Sequence, residues 1–171
     1  MHWLRLNSLL LHVPCNFCNQ LFQSEKLLLV GVQLSRGLDE RLFQDIYLAF
    51  LKHQILLFDV QPLSPGEQVE FARWFGEVQI HVMNQYHSDA HPELYRLSNV
   101  DEHGKPNGKY PDKGTMAWHT DGSWQRRTGL ATILYAEIVP IGSGGTYWAN
   151  MYRAHDALAP EWRERLTGMR A

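Results

Sequence analysis

Cysteine is scarce, and so is any excess of charge of one sign. The chain has 2 cysteines in 171 residues, both in the run Cys15-Asn16-Phe17-Cys18. A lone CxxC describes a redox pair or half of a zinc site, yet with no second pair beside it an incidental origin is the plainer reading. Lys and Arg total 16 against 18 Asp and Glu, a formal charge of -2. No global basic field exists to recruit nucleic acid or an anionic membrane, so neither is expected as a partner. Long hydrophobic runs are missing as well. Leu9-Leu10-Leu11 is flanked by Asn7, Ser8 and His12 and the run stops at Pro14, too short and too broken for a membrane span. The stretch from Pro14 to Cys18 offers no small-residue cleavage site of a secretory signal, and a cytoplasmic location is expected. There is no internal repeat and no low-complexity tract.

What is present fits one globular domain. Hydrophobic residues make up 44% and charged residues 20% of the chain, a balance that excludes disordered and fibrous classes. From Gly31 onward the pattern is orderly. Gly31 to Ser35 alternates like a short strand. Asp39 then opens a helix with Leu42, Phe43, Ile46, Tyr47 and Phe50 at helical spacing. Gln54 to Phe58 reads as a buried strand. Ser64-Pro65-Gly66-Glu67 combines a cap, a proline at the first helical position and a glutamate at the third, so a second helix runs to about Trp74 and ends before Gly76. Leu94 to Ser98, Met116 to His119, Leu130 to Ile138 and Thr146 to Asn150 are strand candidates, with Leu130 to Ile138 expected as a central strand between the other two nearest to it. A last short helix starts at Ala159-Pro160-Glu161. Two early helices followed by strands give an α+β fold whose sheets form part of a sandwich or barrel.

The chemistry sits at Trp118-His119-Thr120-Asp121-Gly122-Ser123. On an ending strand, residues two apart point to the same side, so the His119 imidazole and the Asp121 carboxylate can converge on one cation. Together they supply two-thirds of the facial triad of non-haem iron(II) oxygenases. The bare spacing also describes an ordinary solvated strand end, which is the commoner case.

Context narrows this. The runs MAWHTDGSW at 116 to 124, LATILYAEIVP at 130 to 140 and GGTYWANMYRAHDAL at 144 to 158 closely resemble the TauD/TfdA family of taurine- and dichlorophenoxyacetate-type dioxygenases. Upstream, GVQLSRGLD at 31 to 39, ILLFDVQPLSPGEQVEFARWFGEVQIH at 55 to 81 and HPELYRLSNV at 91 to 100 resemble that family's early blocks in the same order. The resemblance covers residues 31 to 171 as the N-terminal portion of such a domain and leaves 1 to 30 unmatched. It implies a double-stranded β-helix of the jelly-roll or cupin kind, here partial, with flanking N-terminal helices and an incomplete barrel. It also implies Fe(II) as cofactor, 2-oxoglutarate and O2 as co-substrates, a small and anionic organic substrate, and succinate and CO2 as products.

Residue by residue, the resemblance makes His119 and Asp121 iron ligands. Thr146 falls where the family has a threonine that binds a 2-oxoglutarate carboxylate, although Ser143-Gly144-Gly145-Thr146 departs from the usual Gly-Gly-acidic-Thr. Its other reading is a β-branched residue starting a strand. His81 matches a position that contacts the substrate's anionic group, or is a satisfied structural histidine. Asn84 lies near a second substrate-contact position without the family's aromatic residue. The family's third ligand, a distal histidine, and the arginine that pairs with the far carboxylate of 2-oxoglutarate fall beyond the block ending near Leu166, so the chain is expected to be truncated at its C-terminus.

Other candidates are weaker. His87 and His91 have a zinc-like spacing on a helix, but Ser88-Asp89 and Pro92 favour a loop with solvated rings. His155 lies in the expected helix MYRAHDAL and is not taken as a third ligand. Arg126 and Arg127 are adjacent and cannot both face inward on a strand. An inactive fragment and a non-enzymatic interaction module are the alternatives to a dioxygenase, and self-association stays open.

Overall fold

A computed structural model of the chain describes residues 7–12, 27–59, 62–101, 103, 105–107, 117–122, 125–137 and 146–169, with the backbone alone for 7–12 and 27. The Cys15/Cys18 pair, Met116, Ile138 and the run Ser143-Gly144-Gly145 lie outside these residues.

Four strands form one sheet. They are β1 (Asn7–His12), β2 (Leu27–Val30), β3 (Ile55–Asp59) and β6 (Ala131–Tyr135), in the order β2-β3-β1-β6. All three pairings are parallel, with Leu28 opposite Leu57, Leu10 opposite Leu57, and Ser8 opposite Thr132. A smaller antiparallel hairpin joins β4 (His87–Ser88) to β5 (His91–Tyr95), pairing His87 with Tyr95. The helices are α1 (Glu40–His53), α2 (Pro65–Arg73), α3 (Met151–Asp156) and α4 (Pro160–Leu166). The architecture is mixed helix and strand, and the described residues form no closed barrel.

Both long helices begin where local chemistry says they should. Asp39 caps α1 by accepting from Leu42 N–H at 2.7 Å, and Ser64 with Glu67 forms a reciprocal capping box on α2. α1 buries Phe43, Ile46 and Phe50 along one stripe and stops at Gln54, whose left-handed φ of 60° lets its N–H close back on the Phe50 carbonyl at 2.8 Å. Alternation along β3 buries Leu56 and Phe58 on the same side. These meet Leu34, Ile46, Phe50, Leu63 and Phe71 in a core onto which Ala131, Ile133 and Tyr135 of β6 also pack. Ring pairs hold it: Phe58 and Phe71 meet edge-on at 5.5 Å, as do Phe71 and Phe75.

Several expected strands are displaced or not formed. At Gly31, φ is 78°, which turns the chain out of β2, and Leu34–Arg36 forms a 3-10 turn instead of a strand. The strand expected from Leu94 begins earlier, at His91, and tolerates Pro92 because a two-stranded hairpin has open edges. Residues 117–120 and 146–150 are irregular. β6 is therefore not flanked by them; its neighbour is β1, and it forms one edge of the sheet among the described residues. Strand formation rests on cross-strand neighbours more than on intrinsic preference, and among the described residues neither segment is paired in a sheet.

Candidate metal and substrate site

His119 and Asp121 lie in the irregular segment 117–122, upstream of β6 in the chain. The imidazole Nδ1 is 2.8 Å from the Ala117 carbonyl. A carbonyl only accepts, so Nδ1 carries a proton there, and Nε2 is the ring nitrogen left to face Asp121. Nε2 is 3.3 Å from Asp121 Oδ1, close to the separation of about 3 Å that two donors sharing one first-row cation at a right angle adopt. Gly122, with φ of 62°, turns the chain immediately afterwards, and its carbonyl accepts from Gln125 N–H at 3.0 Å. The Asp121 carboxylate also accepts from the Thr132 hydroxyl through Oδ2, at 3.1 Å. Both ligand candidates are about half exposed, with side-chain accessibilities of 48% and 58%, so the pair faces solvent and an incoming ion has access to it.

The donor set suits a divalent first-row metal. One imidazole nitrogen and one carboxylate oxygen lie 3.3 Å apart, and a backbone carbonyl and a threonine hydroxyl engage their other polar atoms. Among the described residues no group of three or more His, Cys, Asp or Glu converges on one point.

His81 sits in the loop after α2. Its Nδ1 accepts from Met83 N–H at 3.1 Å, its ring meets Tyr95 edge-on at 4.6 Å, and its carbonyl accepts from His87 Nε2 at 2.6 Å. His87 is therefore on a strand and not in the loop expected, and its ring clasps the His81 loop. Tyr86 adds a second ring 5.1 Å from Tyr95. The loop is also tied to the segment that follows Asp121, because Gln79 Nε2 donates to the Arg127 carbonyl at 3.4 Å. Asn84 opens a 3-10 turn beside this cluster and is exposed.

Thr146 is exposed at the start of the segment entering α3, and among the described residues no hydrogen bond joins it to His119 or Asp121. His91 does not join His87 in a metal site; its ring lies against Gly66 of α2. His155 is on α3 beside Asp156 at 3.4 Å, and Arg126 and Arg127 are exposed. Sequence reading passes over Thr132, and it weighs His87 only as a zinc ligand or a solvated loop residue. The signal for Thr132 is a single hydroxyl within the apolar run Leu130-Ala131-Thr132-Ile133-Leu134-Tyr135.

A mixed helix and strand fold carrying a paired imidazole and carboxylate has the donor types of the non-haem iron oxygenases. The chain belongs to the taurine catabolism dioxygenase TauD, TfdA family, whose model matches residues 17–171. It is 33% identical over 144 residues to pentalenolactone F synthase of Streptomyces avermitilis, covering 82% of this chain and 47% of that protein. Over 137 residues it is 31% identical to the (S)-phenoxypropionate/alpha-ketoglutarate-dioxygenase of Delftia acidovorans, covering 75% of this chain and 44% of the relative. Alpha-ketoglutarate-dependent 2,4-dichlorophenoxyacetate dioxygenase of Cupriavidus pinatubonensis is 34% identical over 125 residues, 68% of this chain and 44% of its own. The chain thus spans a little under half the length of these relatives. No solved structure gives a significant match. No helix among the described residues is long and apolar enough to cross a membrane.

Proposed function

We propose that the chain is the N-terminal portion, residues 31–171, of an Fe(II)- and 2-oxoglutarate-dependent dioxygenase with a jelly-roll domain, acting on a small organic anion in the cytoplasm. The observation that carries this is the opposition of His119 Nε2 and Asp121 Oδ1 at 3.3 Å in a chain of the TauD/TfdA family. Fe(II) bound there supplies activation of O2, with 2-oxoglutarate consumed to succinate and CO2 as the substrate is oxidised. The protein's share is to hold and orient.

His119 offers Nε2 because Ala117 holds the proton on Nδ1, and Asp121 offers Oδ1 because Thr132 occupies Oδ2. Thr146 donates its hydroxyl to a carboxylate of the co-substrate, a role its exposure leaves open to it. His81 and Asn84 face the substrate. The His81 Nε2 edge is the donor for an anionic group, since Nδ1 already accepts from Met83 N–H. The acids named in two relatives, phenoxypropionate and 2,4-dichlorophenoxyacetate, support a carboxylate or similar anion as the substrate's recognised end.

Anaerobic titration with Fe(II) and then 2-oxoglutarate tests the assignment. Co-substrate binding should require the metal and should vanish in His119→Ala and Asp121→Ala. Fe(II)-dependent 2-oxoglutarate binding that survives in both variants would sink it.

A further inference from the structure

Thr132 is a polar residue in an otherwise apolar strand, and the strand's geometry explains where it points. Ala131, Ile133 and Tyr135 pack on the core. Side chains alternate across a sheet, so Thr132 projects from the opposite face, where its hydroxyl donates to Asp121 Oδ2 at 3.1 Å. The backbone beneath it is fixed by the parallel pairing of β6 with β1, at the register Ser8 opposite Thr132. Its side chain is β-branched and stiff about χ1.

An aspartate carboxylate on an irregular, half-exposed segment is free to rotate, because its last torsion is broad and two-fold and its two oxygens are chemically equal. Water competes for both. A donor anchored on a strand removes that equality: with Oδ2 engaged by Thr132, Oδ1 is the oxygen left opposite His119 Nε2. The carbonyl of Ala117 does the same for the imidazole by choosing its tautomer.

We infer that Thr132 is a positioning residue for the metal site, presenting Asp121 Oδ1 beside His119 Nε2 through its hydrogen bond to Oδ2. The inference rests on the assignment of His119 and Asp121 as ligands. The plain alternative is that threonine stands here only as a good strand former, a role that valine fills equally well.

Those two roles separate under Thr132→Val, which keeps branching and size and removes only the hydroxyl. Binding of Mn(II), a stand-in for Fe(II) at mixed nitrogen and oxygen sites, is read from the paramagnetic resonance signal of the free ion, alongside the thermal unfolding midpoint. We expect T132V to weaken Mn(II) binding about tenfold with little change in the midpoint, and Thr132→Ser to restore most of the affinity. If T132V loses its circular dichroism, Thr132→Ala against T132S carries the same comparison. Wild-type affinity in the folded variant without a hydroxyl, or no recovery in T132S, overturns the inference. Wild-type binding no stronger than that of His119→Ala overturns instead the ligand assignment beneath it.

Discussion

The Tyr135 hydroxyl accepts the backbone N–H of Leu63 at 3.1 Å, joining β6 to the entry of α2 across 72 residues of sequence. Leu63 belongs to the core, so its N–H has little access to water. Tyr135→Phe strands that donor and should cost about 1–3 kcal/mol. In thermal unfolding this is a fall of several degrees. An unchanged midpoint would mean that water replaces the phenol.

Gln54 and Asn150 make a second long connection, with Asn150 Nδ2 donating to Gln54 Oε1 at 3.2 Å. Asn150 also caps α3 by accepting from Arg153 N–H at 3.1 Å. Asn150→Asp keeps the acceptor and loses the donor, whereas Asn150→Ala loses both. The alanine variant should be the less stable of the two by about 1 kcal/mol, the usual worth of an N-cap. Equal urea midpoints would show that the cap contributes nothing at this exposed helix.

Acid should loosen α2 through one identifiable group. The Ser64 hydroxyl, and after it the Ser64 backbone N–H, hold the Glu67 carboxyl below its ordinary value of 4.5. A depressed folded value means that the charged form is favoured in the folded state. That stabilisation is complete above 4.5 and is lost as pH falls through the lowered folded value. Glu67→Gln should therefore flatten part of the decline in stability on acidification, seen by comparing urea midpoints at neutral and acidic pH. A parallel decline in both proteins would dismiss the capping box as its source.

Much of this was legible in the sequence, for local reasons. Asp39 and Ser64-Pro65-Gly66-Glu67 mark helix starts because the groups they satisfy are within three residues of them. β3 and β6 stand out as apolar runs. β1 does not, because Asn7, Ser8 and His12 break its run, and its place between β3 and β6 depends on partners far along the chain. Non-local pairing likewise decides against strands at 117–120 and 146–150. The His119 and Asp121 pair is visible as a motif, but the tautomer, the carboxylate's orientation and the Thr132 contact exist only once β6 is in place. The contact of His87 is not legible in sequence because only the fold brings its ring to the His81 carbonyl.

How firmly the chain holds a metal depends on how many donors it supplies. Among the described residues no third His, Cys, Asp or Glu stands with His119 and Asp121. Two protein donors leave most of the coordination sphere of a six-coordinate ion to water, so binding forgoes the chelation that a third protein ligand adds. The 171-residue chain should bind Mn(II) weakly by itself. Added imidazole supplies a further nitrogen donor, so at concentrations too low to displace His119 it should raise the affinity, and the gain should shrink in Asp121→Ala. The measurement is an Mn(II) titration with and without imidazole at several protein concentrations. Tight binding without imidazole, independent of protein concentration, would show that this chain supplies a third ligand of its own. Tight binding that grows with protein concentration would place that ligand on a second copy, with His155 on α3 the first residue to replace.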